Sequence, residues 1–221
     1  MKRNTFDFGP TWPEVKTADI STEKFNILLA DPPWRYERNA VQGAAEKHYN
    51  TMNIEDICAL PVAGLAADDA VLFLWSTFPQ ISDALRVVKA WSFEFVTCAF
   101  VWIKLNKKSG TPFFGCGFWT RSNAEICLLA RKGKPRRQSR SVHQLIISPV
   151  EAHSKKPDIV REKIVELMGD VPRIELFARE RVPGWEAVGN EIDGRDIREV
   201  LNDMIAECVC YPDKQSGVMT P

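Results

Sequence analysis

A doubly wound α/β sheet is the fold that three features of the sequence predict. Short apolar runs recur, with FNILLA at 25–30 and AVLFLW at 70–75 the clearest. Segments of helical periodicity separate them. The first run also stops abruptly at Asp31-Pro32-Pro33, as a strand does where it opens into a loop. Apolar runs without alternation suit strands covered on both faces, and their alternation with helices gives a mostly parallel sheet.

The elements follow in order. FNILLA is the first buried strand, and the polar segment 35–52 after it is irregular. Asn53 is an N-cap, with Glu55 and Asp56 in the first turn of a short helix to about Leu60. AVLFLW is the second strand. Pro79 opens an amphipathic helix through QISDALRVVKAW, and FEFVTCAFVWIK (93–104) is a long third strand. Beyond a glycine-rich loop (110–119), AEICLLAR (124–131) and QLIIS read as strands on either side of a basic stretch. A helix from Pro157 to Met168 stops at Gly169, then RIELFAR and the extended GWEAVGN (184–190) follow. From Gly194 an acidic helix runs to about Glu207, and 211–221 is expected to be disordered.

Composition narrows the function. The 221 residues suffice for one domain with a full core, and 45% hydrophobic with 26% charged residues is an ordinary globular balance. No run approaches the ~18 apolar residues of a membrane span, and the N-terminus lacks the apolar core of a secretory signal, so a cytoplasmic location is expected. The six cysteines are scattered and read as reduced; with the histidines far apart, no metal is expected. Zero net charge hides an asymmetry. Residues 131–140 (RKGKPRRQSR) carry six bases and no acid, whereas 191–213 carry seven acids against two bases. A polyanion would meet the first region, through Arg136 and Arg137 among others, unless that stretch is simply a solvated hairpin tip.

Asp31 stands where open α/β sheets bind ligands, beyond the carboxyl end of a strand. The chemistry available there is specific. An adenine amino nitrogen is a poor nucleophile because its lone pair is delocalised into the ring, and two acceptors on its two protons would draw that pair out of conjugation. The Asp31 carboxylate is one acceptor; a backbone carbonyl in the Pro32-Pro33 segment is the other, held cheaply because each proline fixes its own φ. Trp34 is available to stack on the base. Asp-Pro-Pro merely ending a strand in a turn is the alternative.

The blocks ADPPW, HYNTM (48–52), FLW (73–75), AEICLLARKG (124–133), HSKKPD (153–158), IELFAR (174–179) and GWEAVGNEID (184–193) occur in the order found in the DPPW family of adenine methyltransferases, which this chain resembles over roughly residues 18–194. The family includes the messenger-RNA adenosine methyltransferase of eukaryotes and DNA-modifying homologues in bacteria and phages. The resemblance implies a Rossmann-like methyltransferase domain over 18–194, with an N-terminal extension at 1–17 and an appended acidic helix and tail at 195–221. It also implies S-adenosyl-L-methionine as cofactor, with Asp31 and the prolines on the target amine. Asp19 and Ile20 match positions at the cofactor's adenine, Lys156 the lysine on its carboxylate, Phe177 and Arg179 the lining of its ribose, and Asn190 an asparagine that bonds it. Arg181 and Glu191 depart from the histidine and glutamine of the eukaryotic enzyme; Glu191 still accepts from hydroxyls.

No G-x-G-x-x-G follows the first strand, so a dinucleotide has no support, and a permuted order explains the cofactor region. The amine-binding strand comes first and residues 156–193 complete the cofactor half. His48 and Tyr49 lie in the loop after DPPW, where a loop closes over ligand or is merely mobile. Lys104 and Trp102, at a strand end, lie near the base or, for Trp102, in the core. The expected partner is nucleic acid, DNA ahead of RNA, with a homodimer or partner subunit possible and no membrane. The rivals are the same chemistry on RNA, a non-catalytic partner subunit, and a plain nucleic-acid-binding module.

Overall fold

The structure is a computed structural model that describes residues 24–35, 51–115, 117, 119–151 and 155–210. Asp19, Ile20, His48 and Tyr49 lie outside the described residues, as do the expected N-terminal extension and the tail from 211.

Seven strands form one sheet: β1 (Phe25–Ala30), β2 (Ala66–Ser76), β3 (Glu94–Leu105), β4 (Ala124–Lys132), β5 (Leu145–Pro149), β6 (Arg173–Leu176) and β7 (Glu186–Val188). Their order is β5-β3-β4-β2-β1-β6-β7. The helices are α1 (Ile54–Cys58), α2 (Ile81–Ala90), α3 (Ile159–Met168), α4 (Asn190–Asp193) and α5 (Ile197–Cys210). The α/β fold expected from the sequence is present.

Period-two alternation in β1 explains why its last four residues are all apolar. Ile27 and Leu29 face a core shared with Val160, Ile164 and Met168 of α3. Leu28 and Ala30 face the opposite core, closed by Ile57 of α1, Ala84, Val87 and Val88 of α2, and Ile197 and Leu201 of α5. With helices on both faces, neither set of side chains meets water. The predicted caps also form: the Asn53 side chain accepts from the Asp56 amide at 2.8 Å, and Gly169 ends α3 with φ +94°.

Two features differ from the expectation. β4 runs antiparallel to both β2 and β3, because the loop from 106 to 123 returns the chain without a crossover helix. The basic stretch after β4 is therefore not a hairpin tip. β5 does not pair with β4; it crosses to the far side of β3 and runs parallel to it.

The order also places the late β6 directly beside β1, with Ala30 opposite Leu176. Chain segments about 145 residues apart thus leave the sheet side by side at the same end, which is the permuted arrangement the motif order implies.

Candidate active site

β1 ends at Ala30 and the chain turns through Asp31, Pro32 and Pro33. The Trp34 amide donates to the Pro32 carbonyl at 2.9 Å and the Met52 amide to the Pro33 carbonyl at 2.9 Å, so the turn is fixed against residues 51–53. Each carbonyl keeps a second lone pair. Trp34 does not offer a stacking face. It is 8% exposed, packed in the core with Ile57 and Leu60, and its indole N–H donates to the Trp75 carbonyl at 3.2 Å. The expectation that it stacks on the base is corrected: a Trp whose N–H finds a backbone acceptor anchors the turn instead.

Asp31 is 25% exposed and opens into a cleft of about 720 Å³, a size ordinary for small-molecule sites. Asp31, Pro32 and Pro33 line it together with Met52, Phe177, Arg179, Asn190 and Glu191. Four residues expected at the cofactor therefore share one cavity with the expected catalytic aspartate. β6 stops at Leu176 because Phe177 adopts φ +61°, an uncommon conformation for a side chain of its kind, which turns the chain into the cleft wall. Gly189 lets the β7 end close against this turn, since a Cβ there would stand 2.2 Å from the Ala178 carbonyl oxygen. Arg179 and Glu191 approach to 3.5 Å across the wall.

Lys156 sits behind Asp31 rather than in the cleft lining. Its Nζ lies 2.7 Å from Asp31 Oδ2, 3.3 Å from Glu125 Oε2 and 5.7 Å from the Trp75 ring. Glu125 also pairs with Lys104, whose ammonium stands 5.0 Å over the Trp102 ring. The result is a line of alternating charge, Asp31, Lys156, Glu125, Lys104, set in apolar surroundings. Burial pushes the Asp31 carboxyl above the usual aspartate range, and Lys156 offsets this only in part. Burial acts the same way on Glu125, but two flanking ammoniums hold it below the usual range. Lys156 is disfavoured as a cation by burial, yet its two carboxylates raise it above an ordinary lysine.

Three expectations need correction or addition. Arg181 is 64% exposed, 4.0 Å from Glu186, and does not line the cleft. Arg136 and Arg137 are at the other end of the sheet. Antiparallel β4 carries the chain away from Asp31, and the stretch begins where the Lys134 amide meets Asp69 at the start of β2 (2.7 Å) and Gln138 meets the end of α3. A strand of this length separates them from Asp31 by roughly 20 Å. Trp102 is core, its indole donating to the Ser148 carbonyl at 3.2 Å.

Glu125 was missed, although a carboxylate inside the apolar strand AEICLLA was the available signal, since a buried acid needs a partner. Asp56, Asp196 and Arg198 also line the cleft, with Arg198 3.6 Å from Asp56. Nothing in their sequence pattern sets them apart from other surface charges.

The strand order, the Asp-Pro-Pro turn at the β1 end and the adjoining cleft wall define an α/β sheet with a ligand cleft beyond the carboxyl ends of its strands, and the family match below makes it a Rossmann-like methyltransferase. Residues 25–191 match the MT-A70 family, and the chain belongs to it. It is 32% identical over 198 residues to the type II methyltransferase M.MunI of Mycoplasma sp., covering 80% of this chain and 82% of that protein. It is 33% identical over 195 residues to an N(6)-adenosine-methyltransferase MT-A70-like protein of Drosophila melanogaster (86% of this chain, 30% of that one). With the human N(6)-adenosine-methyltransferase catalytic subunit METTL3 it shares 30% over 214 residues (93% and 35%). The chain thus spans most of M.MunI and about a third of the two animal relatives.

Proposed function

We propose that this protein transfers a methyl group from S-adenosyl-L-methionine to the 6-amino group of adenine in DNA. The observation that carries the proposal is the partly exposed Asp31 carboxylate at the head of the one cleft that Phe177, Arg179, Asn190 and Glu191 also line. DNA is preferred over RNA because the type II methyltransferase M.MunI is the relative matched here over most of its own length.

The lining fits the cofactor. Glu191 and Asn190 offer acceptors suited to ribose hydroxyls, Phe177 an apolar ring, and Arg179 a cation. When bound, the cofactor supplies an electrophilic methyl on a sulfonium. The chain's own part is to orient and polarise the amine. The Asp31 oxygen not occupied by Lys156 accepts one amino proton, and the spare lone pair of the Pro32 or Pro33 carbonyl accepts the other. This draws the nitrogen lone pair out of conjugation with the ring and leaves it available as a nucleophile. Transfer would form the N–CH3 bond as the donor's S–CH3 bond breaks to leave a neutral thioether; the positive charge then on the nitrogen would be stabilised by the Asp31 carboxylate until one of the two amino protons is lost to solvent. Lys156 holds the carboxylate ionised and in place despite its burial.

Labelled methyl from S-adenosyl-L-methionine should enter adenine-containing oligonucleotides and should not enter ones already methylated on that amine. DNA and RNA, single and double stranded, are compared in parallel. Asp31→Ala should abolish incorporation while the circular dichroism spectrum is kept; undiminished turnover refutes the mechanism, and incorporation only into RNA refutes the choice of DNA.

A further inference from the structure

With Arg136 and Arg137 at the far end of the sheet, the phosphates of a bound strand need other cations near Asp31. The loop from 106 to 123 supplies them. It joins β3 to β4 at the end of the sheet where Asp31 lies, and its two feet are Lys104 and Glu125, the outer pair of the charged line that ends on Asp31. Its sequence, NKKSGTPFFGCGFWTRSN, holds three bases, four aromatic residues and no acid. Lys107, Lys108 and Arg121 are all exposed, and none pairs with a carboxylate among the described residues.

The loop is built rather than slack. The Phe113 amide donates to the Lys104 carbonyl (2.8 Å), the Asn106 amide to Thr111 (2.8 Å) and the Gly115 amide to Ser122 (2.7 Å), while the Asn106 side chain donates to Thr111 and Pro112. Two aromatic rings of the loop lie exposed. Trp119 is 99% exposed and Phe114 60%. Of the chain's seven tryptophans six are among the described residues, and the other five of these are buried, so full exposure of Trp119 is an exception among them. Leaving a large apolar ring in water is unfavourable, and a partner that covers it gains.

We propose that loop 106–123 grips an unpaired stretch of the nucleic acid beside the target adenine, with Trp119 and Phe114 stacking on bases and Lys107, Lys108 and Arg121 meeting their phosphates. Aromatic platforms within a cationic, acid-free surface match a single strand, whose bases expose π-faces between phosphates. A fully paired duplex covers those faces. The inference rests on the nucleic-acid reading above and adds where the strand is held.

The test measures binding of fluorescent single-stranded and fully paired DNA oligonucleotides by anisotropy, at several salt concentrations. Trp119→Ala, at a position too exposed to affect folding, should weaken single-strand binding by about 5- to 150-fold, the range for loss of one base stack. Trp119→Phe should restore most of it, the duplex should lose much less, and the KM for the methyl donor should stay within about twofold. Replacing Lys107, Lys108 and Arg121 together by Ala should lower the slope of log K against log salt by about 2.

Unchanged single-strand affinity in Trp119→Ala, or equal losses on single strand and duplex, overturns the inference. So does a shift from dimer to monomer in sedimentation with DNA affinity intact, which would make the loop a protein interface. A wild-type chain that methylates no oligonucleotide overturns the proposed function itself; a wild type that methylates normally beside an indifferent Trp119→Ala overturns only the loop's role.

Discussion

Replacing Trp34 separates an anchor from a stacking platform. The ring is 92% removed from water, and a Trp side chain buries roughly 200 Å². At about 25 cal/mol per Å² this is worth about 5 kcal/mol, at the top of the range of about 3 to 5 kcal/mol seen for Trp→Ala in cores. The bond from its indole to the Trp75 carbonyl is lost as well. Trp34→Ala should therefore lower the urea midpoint by about 2 M, taking a slope of about 2 kcal/mol per M. Trp34→Phe keeps most of the apolar contact but leaves the carbonyl without that donor, costing about 1 to 3 kcal/mol. Urea unfolding followed by circular dichroism gives both values, and oligonucleotide affinity is measured on the same preparations below the transition. The anchor role predicts stability losses in the order Ala over Phe, with affinity per folded molecule changed little in the Phe variant. An unaltered midpoint in Trp34→Ala together with weakened oligonucleotide binding would refute the reasoning and restore the stacking role.

Four further outcomes are expected. The proposed mechanism uses Asp31 as the carboxylate and burial raises its pKa, so kcat/KM should fall on acidification at a pH above that of an ordinary aspartate. Lys156→Met removes the group that lowers that pKa, and the acidic limb of the pH profile should move to still higher pH; an unmoved limb with a raised methyl-donor KM would mean that Lys156 serves the cofactor alone. Gly189→Ala drives a Cβ against the Ala178 carbonyl and should cost about 1 to 3 kcal/mol, with a raised methyl-donor KM, by thermal unfolding and steady-state kinetics; wild-type values for both would show that the wall yields freely. Substituting Arg136 and Arg137 together by Ala should leave the oligonucleotide KM within about twofold, because that stretch lies at the far end of the sheet; a tenfold rise would place DNA there.

Most elements were legible in the sequence because their signals are local. β1 reads as an apolar run, Asn53 caps α1 through its own side chain, and Gly169 supplies the backbone conformation that ends α3. Phe177, Arg179 and Asn190, matched one by one through the resemblance, and Glu191, which departs from the family's glutamine, line one cleft with Asp31. Arg181 does not, because its side chain turns to Glu186 and solvent.

The sequence by itself determined what local backbone chemistry can dictate, a buried strand that runs into Asp31 and a Pro-Pro turn, followed by a capped helix, while the resemblance picked out later residues that line the same cleft. Only the tertiary structure decided directions. That β4 runs antiparallel sends Arg136 and Arg137 to the far end of the sheet, while the same reversal brings loop 106–123 and Glu125 to the end where Asp31 lies. That the core closes over the turn points Trp34 inward to Trp75. A side chain's identity is written in the chain, but the end of the sheet it reaches and the face it turns to depend on strand order and packing, which are properties of contacts between distant segments.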